Sequence, residues 1–215
     1  TPDAVTLTKI FRKMVDAGCE YVFMEVSSHS LVQNRVAHIN FLGAIFTNLS
    51  QDHLDYHKDM EDYFLAKKKL FKMLSPRAFA LSNIDDVYGA RMLEGIKANP
   101  FTYGFNVGQE EALFFGEVES MDASGLILKF NDISIKSRLK GKFNAYNLLA
   151  VWSACSLLGF DMKKVNTVLE SIEPPKGRFE SFTAPNGVLV VIDYAHKPDA
   201  LEKIFTAVKE VSTNG

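Results

Sequence analysis

Short apolar runs alternate with segments of helical periodicity through the first half of the chain, and a mostly parallel sheet flanked by helices is the arrangement that buries both. The runs are Tyr21–Val26, broken only by Glu25, then Ala44–Leu49, Ala78–Ser82 and Phe101–Phe105. The first two are apolar enough to be central strands covered on both faces. Leu7, Ile10, Phe11, Met14 and Val15 recur at helical spacing, with Thr1-Pro2 as a start and Gly18 as a C-terminal cap. Met60–Leu74 and Asp86–Lys97 are the next two predicted helices.

Between Leu113 and Leu139 the period changes to two, and the turn signals Asp122-Ala123-Ser124-Gly125 and Asn131-Asp132 divide the segment. This predicts a small antiparallel subsheet. Phe143–Leu158 is apolar on almost every side and reads as a buried helix, followed by an amphipathic one around Val165, Val168, Leu169 and Ile172. After Pro174-Pro175, a strand is predicted over Val188–Ile192 and a helix from Pro198 to Val211. One strand and one helix cannot close a core, so residues 1–186 are expected to form the main domain and residues 187–215 to open a second, Rossmann-like one.

The 215 residues, 47% of them hydrophobic, suffice for a full core. Because 24 basic and 26 acidic residues are spread along the chain, no electrostatic footprint for nucleic acid arises. No apolar stretch approaches membrane-spanning length, and Thr1-Pro2-Asp3 does not read as a signal peptide. Cys19 and Cys155 sit in apolar contexts and are expected to be buried, unpaired thiols, consistent with a cytoplasmic protein.

Four groups of residues could carry chemistry. Glu25-Val26-Ser27-Ser28-His29 and Thr47-Asn48-Leu49-Ser50-Gln51-Asp52-His53 each follow a predicted strand, where open α/β sheets bind ligands. Glu25 and His53 could share a divalent cation, Mg²⁺ being favoured by the oxygen donor; the plainer alternative is a loop cap with solvated histidines. Lys67, at three and seven residues from Phe64 and Met60, falls on an apolar stripe and is expected to point inward, either as a reactive or paired amine or as a lysine whose stem packs on the core. In Gly141-Lys142-Phe143-Asn144-Ala145-Tyr146-Asn147, two amides three apart on a first helical turn could face one ligand such as adenine, unless Asn144 only caps the helix. Asp193-Tyr194-Ala195-His196-Lys197-Pro198 places an acid and an imidazole at a strand end, suited to ribose and phosphate.

Together with Gln33, Arg35, Ala66-Lys67 and Gly177-Arg178, these motifs occur in an order that closely resembles the Mur ligases over nearly the whole chain, and most closely the branch that adds the third residue of the peptide. The resemblance implies an ATP-dependent, ADP-forming ligase of peptidoglycan synthesis. Its expected partners are UDP-N-acetylmuramoyl-L-alanyl-D-glutamate, ATP and an amino acid, expected to be meso-diaminopimelate with L-lysine as the open alternative, and it is expected to work as a monomer. It further implies that Glu25, His53 and a carbamylated Lys67 act on Mg²⁺, and that Ser27, Ser28, Gln33 and Arg35 contact the muramoyl substrate. By the same resemblance Asn144 and Asn147 face adenine, Arg178 the phosphates, Asp193 the ribose and His196 the nucleotide region.

The chain departs from that pattern in containing no G-x-x-x-x-G-K-[ST] loop. The loop is expected before Thr1, the amino-acid-selecting domain after Gly215, and the piece alone is expected not to turn over. Two rivals share parts of the pattern: a folylpolyglutamate synthetase-like ligase, and a non-catalytic binding module on the same scaffold.

Overall fold

The computed structural model describes residues 1–106, 112–196 and 198–212. In chain order the elements are α1 (Ala4–Asp16), α2 (Ser28–Val32), β1 (Gly43–Phe46), α3 (Met60–Lys72), β2 (Phe79–Asn83), α4 (Gly89–Leu93) and β3 (Asn99–Gly104). There follow β4 (Phe114–Asp122), β5 (Gly125–Phe130), β6 (Ile133–Ser137), α5 (Lys142–Leu157), α6 (Met162–Ser171), β7 (Glu180–Thr183), β8 (Leu189–Ile192) and α7 (Pro198–Ser212). A six-stranded sheet runs in the order β1-β2-β3-β4-β5-β6, and β7 and β8 form a separate pair. The antiparallel strands continue the main sheet, since β4 pairs parallel to β3 through Tyr103 and Phe114 while β5 and β6 add on as hairpins.

The chain divides into two compact units. The first comprises Thr1–Ala44, Gln51–Ala80 and Ala90–Pro100. Its helices are started by side chains: Asp3 accepts from the backbone N–H groups of Val5 and Thr6, both at 3.0 Å, and Asp59 accepts from that of Asp62 at 2.8 Å. Leu7, Leu31 and Val36 form a buried cluster against which Phe11, Met24, Val26 and Leu70 pack.

The second unit comprises Ile45–Ser50, Leu81–Gly89 and Phe101–Gly215. Its core holds Tyr103, Leu126, Leu128, Phe130, Ile135 and Leu149, all 2% exposed or less. Period-two alternation explains why β5 and β6 supply this layer, and the apolar content of α5 explains why that helix is buried along most of its length. Lys142, Asn147 and Val151 are its exposed residues, Val151 at 46%.

Four expectations are corrected. Tyr21–Val26 forms no strand among the described residues; Met24 and Val26 pack inward, whereas Tyr21, Val22 and Phe23 are exposed. Apolar content reports a drive for burial, while a strand also requires a ladder partner. The helix predicted over Asp86–Lys97 contracts to Gly89–Leu93, because Asp86 accepts from Tyr88 N at 2.9 Å and holds the preceding residues in a turn. A strand at Glu180–Thr183, absent from the periodicity, pairs antiparallel with β8. Cys19 is exposed and Cys155 half-buried, although both are free thiols as expected. Among the described residues no helix is long and apolar enough to cross a membrane.

Candidate functional site

In the first unit, Ser27 caps α2, its hydroxyl accepting from Ser30 N at 3.3 Å. Thr1 Oγ1 donates to the Glu25 carbonyl at 3.2 Å, and the Thr1 carbonyl accepts from Arg35 Nη1 at 2.7 Å. Arg35 is also held by Gln33, whose Oε1 accepts from Nε at 2.8 Å and Nη2 at 2.5 Å. Glu25, Ser27, Gln33 and Arg35 are thereby tied into one surface around α2, while Ser28 is buried beneath it.

His53 and Lys67 meet Glu25 around the ring of Tyr63. Lys67 Nζ stands 5.0 Å from the Tyr63 centroid, and the His53 ring makes an edge contact with it at 5.8 Å. Burial drives the Lys67 ammonium below the usual lysine range, and the charges of Glu25 and Asp52 oppose that shift. Burial, reinforced by the same two carboxylates, pushes the Tyr63 hydroxyl up to about 12. His53 has φ 55, a left-handed conformation that costs a non-glycine residue about 1–2 kcal/mol, and its backbone N–H donates to Asp52 Oδ1 at 2.6 Å. Burial lowers the His29 imidazole, as do the neighbouring His53 and His57 rings. Of the three consecutive lysines it is Lys68 that is most enclosed, donating to the Arg91 carbonyl, whereas Lys67 is half-buried.

No group of three or more His, Cys, Asp or Glu side chains among the described residues is arranged to hold a metal ion. Glu25 and His53 therefore do not form a cage. Two such donors would suit only a Mg²⁺ that keeps most of its ligands as water and phosphate oxygens, which is how that ion ordinarily binds. Lys67 as an ammonium would repel such an ion; as a carbamate it would attract one.

In the second unit, a cleft of about 1040 Å³ is lined by Asn144, Asn147, Arg178 and Asp193. Asn144 does not cap α5, whose N-cap is Gly141. Its Nδ2 donates to the Lys140 carbonyl at 2.8 Å and its Oδ1 accepts from Asn147 Nδ2 at 3.4 Å, so the two amides are aligned as a pair. Asp193 turns the chain after β8, accepting from Phe179 N at 2.8 Å and Ala195 N at 2.7 Å. Arg178 lies 5.7 Å over the ring of Tyr194. His196 is exposed against Tyr194 and is not part of the cleft lining; Lys197 of the same motif lies outside the described residues.

Sequence reasoning missed Asp85, Asp86 and Tyr146, which also line this cleft. Asp85 accepts from Phe105 N at 2.6 Å and from the Tyr146 hydroxyl at 2.7 Å, and Asp86 accepts from Leu49 N at 3.0 Å. Burial and the Asp85 contact raise the Tyr146 hydroxyl above the usual phenol range. The signal was available: Asn83-Ile84-Asp85-Asp86 is a polar cluster after a predicted strand, the pattern that singled out Glu25 and Thr47.

Residues 1–155 match the family model described as the Mur ligase middle domain. The chain is 45% identical over 211 residues to the UDP-N-acetylmuramoyl-L-alanyl-D-glutamate--2,6-diaminopimelate ligase of Phocaeicola vulgatus, covering 98% of this chain and 43% of that protein. It is 44% identical, with the same coverage, to the Bacteroides thetaiotaomicron protein of that name. A solved structure of a UDP-N-acetylmuramoyl-L-alanyl-D-glutamate--2,6-diaminopimelate ligase superposes with a TM-score of 0.82 at 28% identity, over 98% of this chain and 44% of the other. The chain thus spans less than half the length of these relatives.

Proposed function

The chain belongs to the Mur ligase family, and from that premise we propose that the whole protein joins meso-diaminopimelate to UDP-N-acetylmuramoyl-L-alanyl-D-glutamate with cleavage of ATP to ADP and phosphate. The observation that supports this most is the meeting of Glu25, His53 and Lys67 around Tyr63 in an acidic, part-buried corner.

In the proposed reaction the D-glutamyl carboxylate of the muramoyl substrate attacks the γ-phosphorus of ATP, giving an acyl phosphate and ADP. The diaminopimelate amine then adds to the acyl carbon, and collapse of the tetrahedral adduct expels phosphate and forms the amide. Ser27, Gln33 and Arg35 contact the muramoyl substrate, with the Arg35 guanidinium preset by Gln33 to meet a carboxylate. Glu25, His53 and a carbamate on Lys67 would hold Mg²⁺, and the ion would supply positive charge to offset that of the phosphoryl oxygens. Desolvation prepares Lys67 for carbamylation, because the neutral amine is the form that adds to carbon dioxide, releasing a proton. Asn144 and Asn147 face adenine, Asp193 the ribose and Arg178 the phosphates; His196 belongs to the rim of the nucleotide region. Residues 187–215 open a further domain, and the protein acts in the cytoplasm as a monomer.

The test is ADP release by the whole protein, at the length of its relatives, with the UDP-linked dipeptide and each candidate amine. Turnover dependent on both the dipeptide and diaminopimelate is expected. Turnover with a folate and glutamate instead, or with no substrate at all, overturns the reading.

A further inference from the structure

Ser28, His57 and Asp62 form a hydrogen-bonded chain beside the Lys67 corner. Ser28 Oγ lies 2.9 Å from His57 Nε2, and His57 Nδ1 lies 3.2 Å from Asp62 Oδ2. A carboxylate only accepts, so Asp62 keeps the ring proton on Nδ1 and leaves Nε2 to accept from the Ser28 hydroxyl. That order of groups is the order of a nucleophilic triad. Burial denies it that role: Ser28 is 1% exposed, and it does not line the cleft of about 290 Å³ that opens beside His57.

The chain instead links two helices. Ser28 is the first residue of α2, the helix flanked by Ser27 and Gln33, and Asp62 lies in the first turn of α3. The His57 ring, 2% exposed, also stacks on Tyr63 at 5.1 Å and 29°, and Tyr63 is the ring over which Lys67 Nζ stands. Losing either Ser28 or Asp62 would strand a ring nitrogen of the buried His57, so the two bonds support each other.

We propose that His57 is a positioning residue: through Ser28 and Asp62 it locks the start of α2 to the Tyr63–Lys67 face of α3, holding the substrate-contacting surface in register with the reactive amine. Ser28 acts through this lock and does not touch substrate. The inference rests on the reading of Lys67 and α2 given under Proposed function.

The experiment compares Ser28→Ala, His57→Phe and the double variant in the whole protein. Each single change is expected to lower kcat at least tenfold while KM for ATP, whose candidate residues lie in the other unit, moves less than twofold. The double variant should be no slower than the worse single one, because a broken chain cannot be broken again. Amides of residues 28–33 should exchange at least tenfold faster with those of α1 unchanged, and each variant should stay folded at the assay temperature. Unchanged kcat, losses that multiply in the double variant, or losses matched by the unfolded fraction would overturn the lock. A wild-type protein that forms no amide bond removes the reading of Lys67; the exchange rates of α2 then decide the link between the helices, and unchanged rates reject it.

Discussion

Residues in this chain do their work by what they accept or exclude. Asp85 accepts from two backbone N–H groups and the Tyr146 hydroxyl, so replacing it by alanine orphans donors as well as losing bonds. Asp85→Ala is expected to destabilise the protein by about 2–3 kcal/mol and Tyr146→Phe by about 1 kcal/mol, read by denaturant unfolding; equal effects would show that the backbone donors do not matter. For Lys67 the sign follows from its depressed pKa. Between the folded and the higher unfolded value the unfolded chain binds more protons, so stability rises with pH across that window and is lowest below it. In buffer freed of carbon dioxide, Lys67→Met should flatten that rise and lift Tm at pH 7 by on the order of 1–2 °C. Lys67→Arg should cut turnover of the whole protein at least ~100-fold, since a guanidinium neither deprotonates nor carbamylates; steady-state rates check it. The inward bias of Lys67 was legible from its spacing, but the enclosure of Lys68 was not, because it depends on the Arg91 carbonyl more than twenty residues away.

At the scale of elements, turn chemistry and strong periodicity were readable, and pairing was not. The β4–β5 turn is set locally: Asp122 accepts from Ser124 N at 2.7 Å, and Gly125 has φ 142 with a Cβ position only 2.0 Å from the Ser137 carbonyl oxygen. Gly125→Ala therefore meets both a forbidden conformation and a backbone atom, and should cost about 2 kcal/mol, lowering Tm by roughly 4–8 °C; a thermal melt with less than a 2 °C change would contradict it. Helices α1 and α3 were visible because their stripes persist over three turns. β7 escaped notice because Glu180–Thr183 is half exposed and carries little apolar pattern; its strand state comes from β8. Tyr21–Val26 failed in the opposite sense, with apolar content but no strand assigned to it among the described residues.

At the scale of the molecule, nucleotide chemistry should require more chain than these residues. The 215 residues contain no G-x-x-x-x-G-K-[ST] loop to cradle phosphates, so the isolated chain is expected to show no ATP turnover above background under conditions where the whole protein is active. A coupled ADP assay on both decides this. Composition, helical stripes and the order of the polar clusters were sufficient to establish an α/β sheet architecture and a family, because periodicity and motif spacing are properties of the linear chain. Only the fold could decide that Glu25, His53 and Lys67 gather at Tyr63, that Ser28 turns inward to His57, and that Asp85 and Tyr146 join the Asn144 cleft. Apart from Lys67 on Tyr63 within α3, these bring together segments separated in sequence, and desolvation and hydrogen-bond geometry, which set what such a group can do, come into being when the segments meet.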